Sequence, residues 1–145
     1  MAKDIYFACS ISSGQGDAEL YEELIEHIKT HGTVIGDTKL ALLGQGNTGT
    51  NETVYAREMD WVRRADILIA EVTTPSLGVG YEIAKAEDSG KPVLALFRDA
   101  SGNRLSAMIG GSPYSSMVTY ETVEDAKTAI DGFLRAFGSL SSVAD

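Results

Sequence analysis

Cysteine is nearly absent from this 145-residue chain, with Cys9 the only one. A single thiol excludes an internal disulfide framework and a cysteine-rich zinc site, and it suits a reducing compartment, cytoplasmic or, in a eukaryote, nuclear. Long apolar runs are missing too. None approaches the roughly 20 residues that a membrane span needs, so no membrane partner is expected. No secretory leader is visible, since Met1-Ala2-Lys3-Asp4 runs straight into a strand-like stretch. Positive charge is scarce: 12 Lys and Arg stand against 21 Asp and Glu, for a net charge of −9. Polynucleotide binding relies on cations that neutralise phosphates, so this balance argues against a nucleic-acid polymer. It leaves room for a small phosphorylated ligand held by local N–H groups and hydroxyls. There is no internal repeat and no low-complexity domain. What remains, 43% hydrophobic and 23% charged, is ordinary for a globular domain with one substantial core. Residues 1–137 are expected to form that domain and 138–145 a flexible tail.

One stretch organises the rest. Ile67-Leu68-Ile69-Ala70 is apolar enough for a buried strand, and Val79, Ile83 and Ala86 recur at helical spacing after it. Between them lies the small-residue turn Thr73-Thr74-Pro75-Ser76-Leu77-Gly78. A strand–turn–helix of this kind offers backbone N–H groups and a helix N-terminus to an anion. Ser76 can add a hydroxyl, and Gly78 and Gly80 permit close approach to the backbone. Glu82 follows about one helical turn later, where a carboxylate can act on a sugar attached to the anchored phosphate. Against this stands the commonplace alternative that a glutamate in a first helical turn serves only the helix dipole.

Taken in order, Ile5-Tyr6-Phe7-Ala8-Cys9 reads as the first strand, and Ser10 to Gly16 as a second small polar turn. Asp17 is expected to cap the next helix through its side chain, with Gly32 as its stop. Thr33-Val34-Ile35 makes a brief second strand. Asp37 to Asn51, rich in glycine, is either a lid or an inert insertion. A helix from about Glu52 to Ala65 places Val54, Tyr55, Met59, Trp61, Val62 and Ala65 on one arc, with Arg57, Asp60, Arg63 and Arg64 opposite. Glu58 falls inside the apolar arc. A carboxylate there must be paired, protonated or turned toward a site. Asp60 belongs to the solvated side. Pro92 to Phe97 is a fourth strand and Leu105 to Ile109 a short helix or ordered loop. Met117 to Tyr120 is a fifth strand, and Thr122 with Asp125 caps a last helix. Five strands alternating with helices predict an α/β fold, a doubly wound parallel sheet of flavodoxin-like (Rossmann-like) order. Ligands then bind at the carboxyl ends of strands one and three, where the two small-residue turns converge with Tyr6.

These segments resemble the 2′-deoxynucleoside 5′-phosphate N-hydrolases of the nucleoside 2-deoxyribosyltransferase superfamily. The resemblance rests on Ile5 to Ile11, Trp61 to Asp66, Ala70 to Thr73, Leu96-Phe97-Arg98, Leu105 to Ile109 and, most specifically, Pro75 to Glu82. It runs collinearly over about residues 4–137. It implies a homodimeric enzyme, with no metal or cofactor, that cuts deoxynucleoside monophosphates into free base and 2-deoxyribose 5-phosphate. Glu82 matches the nucleophilic glutamate and Tyr6 a tyrosine at the sugar. Cys9, Ser10, Ile11, Ser12, Ser13, Gly14, Ser76 and Gly78 fall at substrate- or phosphate-binding positions. Ser106 and Met108 match residues delivered into the neighbouring subunit's site. Glu58 stands where the family usually has an aspartate, Ser12 where an arginine is frequent, Cys9 where there is a glycine, and Thr38 near a histidine position.

The chemistry expected is that of glycoside cleavage. Glu82 attacks the anomeric carbon, a second acid, Glu58, helps the base leave or orients Glu82, and water resolves the glycosyl-enzyme. The competing expectations are a deoxyribosyltransferase, in which a second base replaces water, and an inactive nucleotide-binding module. A flavoprotein of the same fold is weaker still.

Overall fold

The computed structural model describes residues 2–10, 17–36 and 49–138. Five strands form one sheet: β1 (Asp4–Ala8), β2 (Thr33–Ile35), β3 (Ile67–Glu71), β4 (Val93–Arg98) and β5 (Ser116–Tyr120). All pair in parallel, in the order β2-β1-β3-β4-β5. This is the flavodoxin-like order that the alternating pattern predicts, and its switch point lies between β1 and β3. The helices are α1 (Ala18–Ile28), α2 (Asn51–Arg64), α3 (Leu77–Asp88), the short α4 (Ala107–Gly110) and α5 (Val123–Gly138).

Strand alternation divides the core in two. Ile5, Phe7, Ile67, Ile69, Leu94 and Leu96 face Leu24, Ile28, Ala126 and Ile130 of α1 and α5. Tyr6, Ala8, Leu68 and Ala70 pack on the other side, with Val62 of α2 and Val79, Ile83 and Ala86 of α3. Burying those stripes drives the crossovers to opposite faces.

Helix ends follow local chemistry in most places. Thr50 accepts from Thr53 N at the start of α2 (3.2 Å). Thr122 and Asp125 form the reciprocal capping box expected for α5, at 3.2 and 3.1 Å. Helix α3 closes in a Schellman motif: Gly90, at φ +73°, donates to Glu87 O, and Lys91 N donates to Ala86 O. The Lys91 side chain then caps a different helix. Its Nζ donates to the carbonyls of Val62, Arg63 and Ala65 (2.6, 2.5 and 2.6 Å), closing the C-terminus of α2.

Three expectations need correction. Asp17 precedes α1 but makes no side-chain cap; its Oδ1 instead accepts from Arg98 (3.1 Å), a charge-assisted bond. Gly32 is not in a left-handed stop conformation. A Cβ there would lie 2.6 Å from Lys3 O, so glycine is required for close approach of the chain to β1. Tyr55, counted on the apolar arc of α2, is 52% exposed and pairs at the surface with Tyr81.

Candidate active site

Strand β1, helix α2 and the first two turns of α3 bring three of the expected site residues together: Tyr6, Glu58 and Glu82. Glu82 lies on the inward arc of α3 beside Ile83 and is buried. Tyr6, on the same sheet face, is buried too and hydrogen-bonds Glu82, while Glu82 Oε2 has no partner among the described residues. Removal from water pushes the Glu82 carboxyl up to about 7, and the negative charge of Glu58 adds to this, while the Tyr6 hydroxyl opposes it. Glu58 itself is half-buried, and desolvation raises it against the pull of Arg57. The helical arc that predicts an inward acid on α2 therefore delivers one to the neighbourhood of Glu82. Asp60, by contrast, pairs on the outside with Arg63 and with Arg64 (3.5 Å).

The wall behind Tyr6 is aromatic. Trp61 stands 6.2 Å from the Tyr6 ring, and Arg57 lies over Trp61 at 5.4 Å. Gly36, at φ +91°, makes this packing possible, since a Cβ would meet both rings at 3.2 Å.

Ser76 occupies the N-cap of α3 and accepts from Val79 N at 3.3 Å. Its hydroxyl proton stays available, and the N–H groups of Leu77 and Gly78 in the first turn have no intrahelical acceptor. A Cβ at Gly78 would come only within 3.9 Å of Ser76 Oγ, and at Gly80 it would meet nothing. Neither glycine has a positive φ, so both positions leave open space rather than an unusual backbone. Ser10, two residues beyond β1, has a buried hydroxyl with no partner among the described residues. Cys9 is buried beside it, its thiol pushed up to about 12 by desolvation and by the charges of Glu71 and Glu82. Such a thiol is a packing group and not a nucleophile. Ile11, Ser12, Ser13 and Gly14 lie outside the described residues, as does Thr38.

Ser106 and Met108 lie elsewhere. They line a groove of about 760 Å³ between α3 and the 106–114 segment, together with Ser76, Gly80 and Tyr114. Glu82, Tyr6 and Glu58 do not line it. Within one chain the groove and the acid pair therefore share only α3 and its cap.

Sequence reasoning missed the scaffold of the turn. Glu71 ends β3 fully buried, accepting from Thr73 N (2.7 Å), from Thr73 Oγ1 (2.9 Å) and from the Tyr120 hydroxyl. Thr73 in turn accepts from Arg98 N and, through its carbonyl, from Asn103 Nδ2 (2.9 and 3.0 Å). This network fixes the path from β3 to Ser76. The signal was a lone acid closing an otherwise apolar strand.

The model of the family "Nucleoside 2-deoxyribosyltransferase" matches residues 5–129. A 5-hydroxymethyl-dUMP N-hydrolase of Tetraodon nigroviridis is 45% identical over 112 residues, 74% of this chain and 79% of that protein. The enzyme of the same name from Rattus norvegicus is 37% identical over 139 residues, 92% of this chain and 85% of that one. Among solved structures, the CMP N-glycosidase of Clostridium botulinum superposes with a TM-score of 0.68 at 18% identity, covering 91% of this chain and all of the other. At that identity the likeness speaks for the fold.

Proposed function

The chain belongs to the nucleoside 2-deoxyribosyltransferase family, and on that premise we propose that it hydrolyses the N-glycosidic bond of 2′-deoxynucleoside 5′-monophosphates to free base and 2-deoxyribose 5-phosphate. The observation that carries this reading at the level of chemistry is Glu82. It is a buried carboxyl with one oxygen unpartnered among the described residues, held up to about 7 beside a second acid and one turn behind an open helix N-terminus.

In its ionised form Glu82 attacks C1′ of the sugar. The C1′–N bond breaks, and the departing base takes a proton from Glu58. Water then attacks C1′, returns its proton to Glu58 and releases Glu82. Two interacting carboxyls in a poorly solvated place resist double ionisation; in the free site Glu82 is the one that holds the proton, so that proton passes to Glu58 before Glu82 attacks. Tyr6 orients Glu82 and offsets part of the cost of its charge. The Ser76 hydroxyl with the first-turn N–H groups, and Ser10 just beyond β1, receive the phosphate, with Gly78 leaving room. Unfilled donors disfavour a nucleoside that lacks the phosphate.

The active unit in this reading is a homodimer in the reducing cytoplasm. Leu77 and Met108 are 97% and 84% exposed, and Tyr114, which also lines the groove, is exposed as well. An apolar surface of this kind around the groove supports coverage by a second copy, with Ser106 and Met108 entering the neighbouring site.

A product assay over a panel of monophosphates, beginning with 5-hydroxymethyl-dUMP and with matching nucleosides as controls, tests the reading. Release of sugar phosphate without an added base, from deoxynucleotides and not from nucleosides, is expected. Base exchange that depends on an acceptor base would instead identify a transferase. Binding without turnover would leave a nucleotide-binding module.

A further inference from the structure

On the sheet face opposite Glu82, both histidines of the chain meet one aspartate. His27 lies in the last turn of α1. The chain then continues through a tight turn in which Thr30 N donates to His27 O (3.1 Å) and His31 N to Ile28 O (2.9 Å). That turn carries His31 back over His27, with ring centroids 5.8 Å apart. Asp131, on α5, faces both. Its Oδ1 is 2.7 Å from His27 Nε2 and 2.6 Å from His31 Nε2.

We propose that His27, His31 and Asp131 form a divalent transition-metal site, best suited to Zn²⁺, that staples the C-terminal end of α1 to α5. The three ligand atoms lie within 4.8 Å of one another. Two imidazole nitrogens and one carboxylate are a donor set that zinc accepts in tetrahedral geometry, with water in the fourth place. The side chains are 22%, 28% and 30% exposed, open enough for an ion to enter and for that water to remain.

Without metal, each imidazole shares a hydrogen bond with the same oxygen, so the ligands are already gathered. Zinc replaces the protons in those bonds. Ligands around tetrahedral zinc stand about 3.3 Å apart, so Asp131 must retreat by about 0.6 Å and the two imidazole nitrogens, which lie within 4.8 Å of each other, must settle at the same spacing, by rotation of the three side chains. The two helices packed here come from opposite ends of the chain, and a metal that joins them binds the folded state far more tightly than the unfolded chain, where only the His27–His31 pair is local. Nothing in the site touches Tyr6, Glu58 or Glu82, which lie across the sheet, so the metal takes no part in cleavage.

Tag-free protein stripped with EDTA provides the test, with Zn²⁺ titrated calorimetrically and by thermal unfolding. One Zn²⁺ per chain is expected, with Tm rising by about 5–10 °C at a hundredfold excess over Kd. Co²⁺ in its place should give the visible absorption of a tetrahedral complex. His27→Ala/His31→Ala should abolish both signals. Asp131→Asn, which keeps an acceptor for both rings but loses the anionic ligand, should weaken binding by an order of magnitude or more and serves as the gentler variant if the double change unfolds. Deoxynucleotide turnover should be the same with and without zinc. Absence of saturable Zn²⁺ binding, or binding that both variants retain, would overturn the site.

Discussion

Replacing Glu82 with Gln should destroy the enzyme and stabilise the fold, and the second effect should depend on pH. Burial raises the Glu82 carboxyl from 4.5 to about 7. The folded state therefore holds this proton more tightly than the unfolded chain does. Its favourable contribution is complete below pH 4.5 and is lost as pH rises through about 7. At 1.36 kcal/mol per pH unit, the buried charge costs about 3 kcal/mol above that range. Glutamine has nearly the same shape and never ionises. At pH 5 the variant should lead by less than about 1 kcal/mol. At pH 8 the variant should be more stable by up to about 3 kcal/mol, or about 6–12 °C in Tm for a chain of this size. The repulsion of Glu58 is part of that shift and is lost with it. Urea unfolding of both proteins at the two pH values measures the gap, and single-turnover assays on a deoxynucleotide measure the chemistry. An equal gap at both pH values, or a variant less stable at pH 8, would refute the claim that Glu82 carries a buried charge. Near-normal turnover would remove it as the nucleophile.

Glu58→Ala should slow cleavage about 10²–10⁴-fold, the range for a lost general acid, while Asp60→Ala should leave kcat within experimental error. A crippled Asp60 variant would mean that α2 presents its other face to the substrate. Lys91→Met keeps the aliphatic stem but removes the ammonium that three carbonyls of α2 share. It should cost about 2 kcal/mol in urea unfolding, read as a lower midpoint at unchanged slope. Mixing Glu82→Gln with Ser106→Ala protomers tests the shared site: half of the sites in a heterodimer carry both defects and half carry neither. Once exchange of protomers is shown, activity above the sum of the two parents is expected, and its absence would leave Ser106 a local residue.

What could be read in the sequence was what depends on neighbours a few residues away. The strand order follows from five apolar runs alternating with helical periods. The inward placing of Glu58 follows from its seat between Val54 and Val62, and the α5 capping box from the spacing of Thr122 and Asp125. What stayed hidden depends on contacts distant in the chain. The expected cap at Asp17 yields to Arg98, 81 residues away, because a charged partner outcompetes a local N–H group. Glu71 is satisfied by Tyr120, 49 residues on, and the α2 carbonyls by Lys91, 26 to 29 residues on. No local period announces such pairings. Tyr55 shows the converse, since a helical wheel reports which residues share an arc and not whether anything covers that arc.

The two faces of the sheet carry different loads, and side-chain size shows how. Toward α1 and α5 the strands present Ile5, Phe7, Ile67, Ile69, Leu94 and Leu96, large groups that bury the most apolar surface. Toward α2 and α3 they present Tyr6, Leu68 and Val93 lower in the sheet but, at its carboxyl end, Ala8 and Ala70, which stand directly opposite each other in the β1–β3 register. Their carboxyl ends flank the switch point, where a doubly wound sheet receives its ligand. Alanines there forgo packing energy and keep volume free beneath the place where Tyr6, Ser10 and Glu82 converge. The polar groups that fit poorly in a core, namely the Ser10 hydroxyl, unpartnered among the described residues, and the Glu82 carboxyl, lie on that side. Large apolar residues on the opposite face offset their cost, so the domain holds a destabilised acid where a substrate can use it and draws its stability from where none is bound.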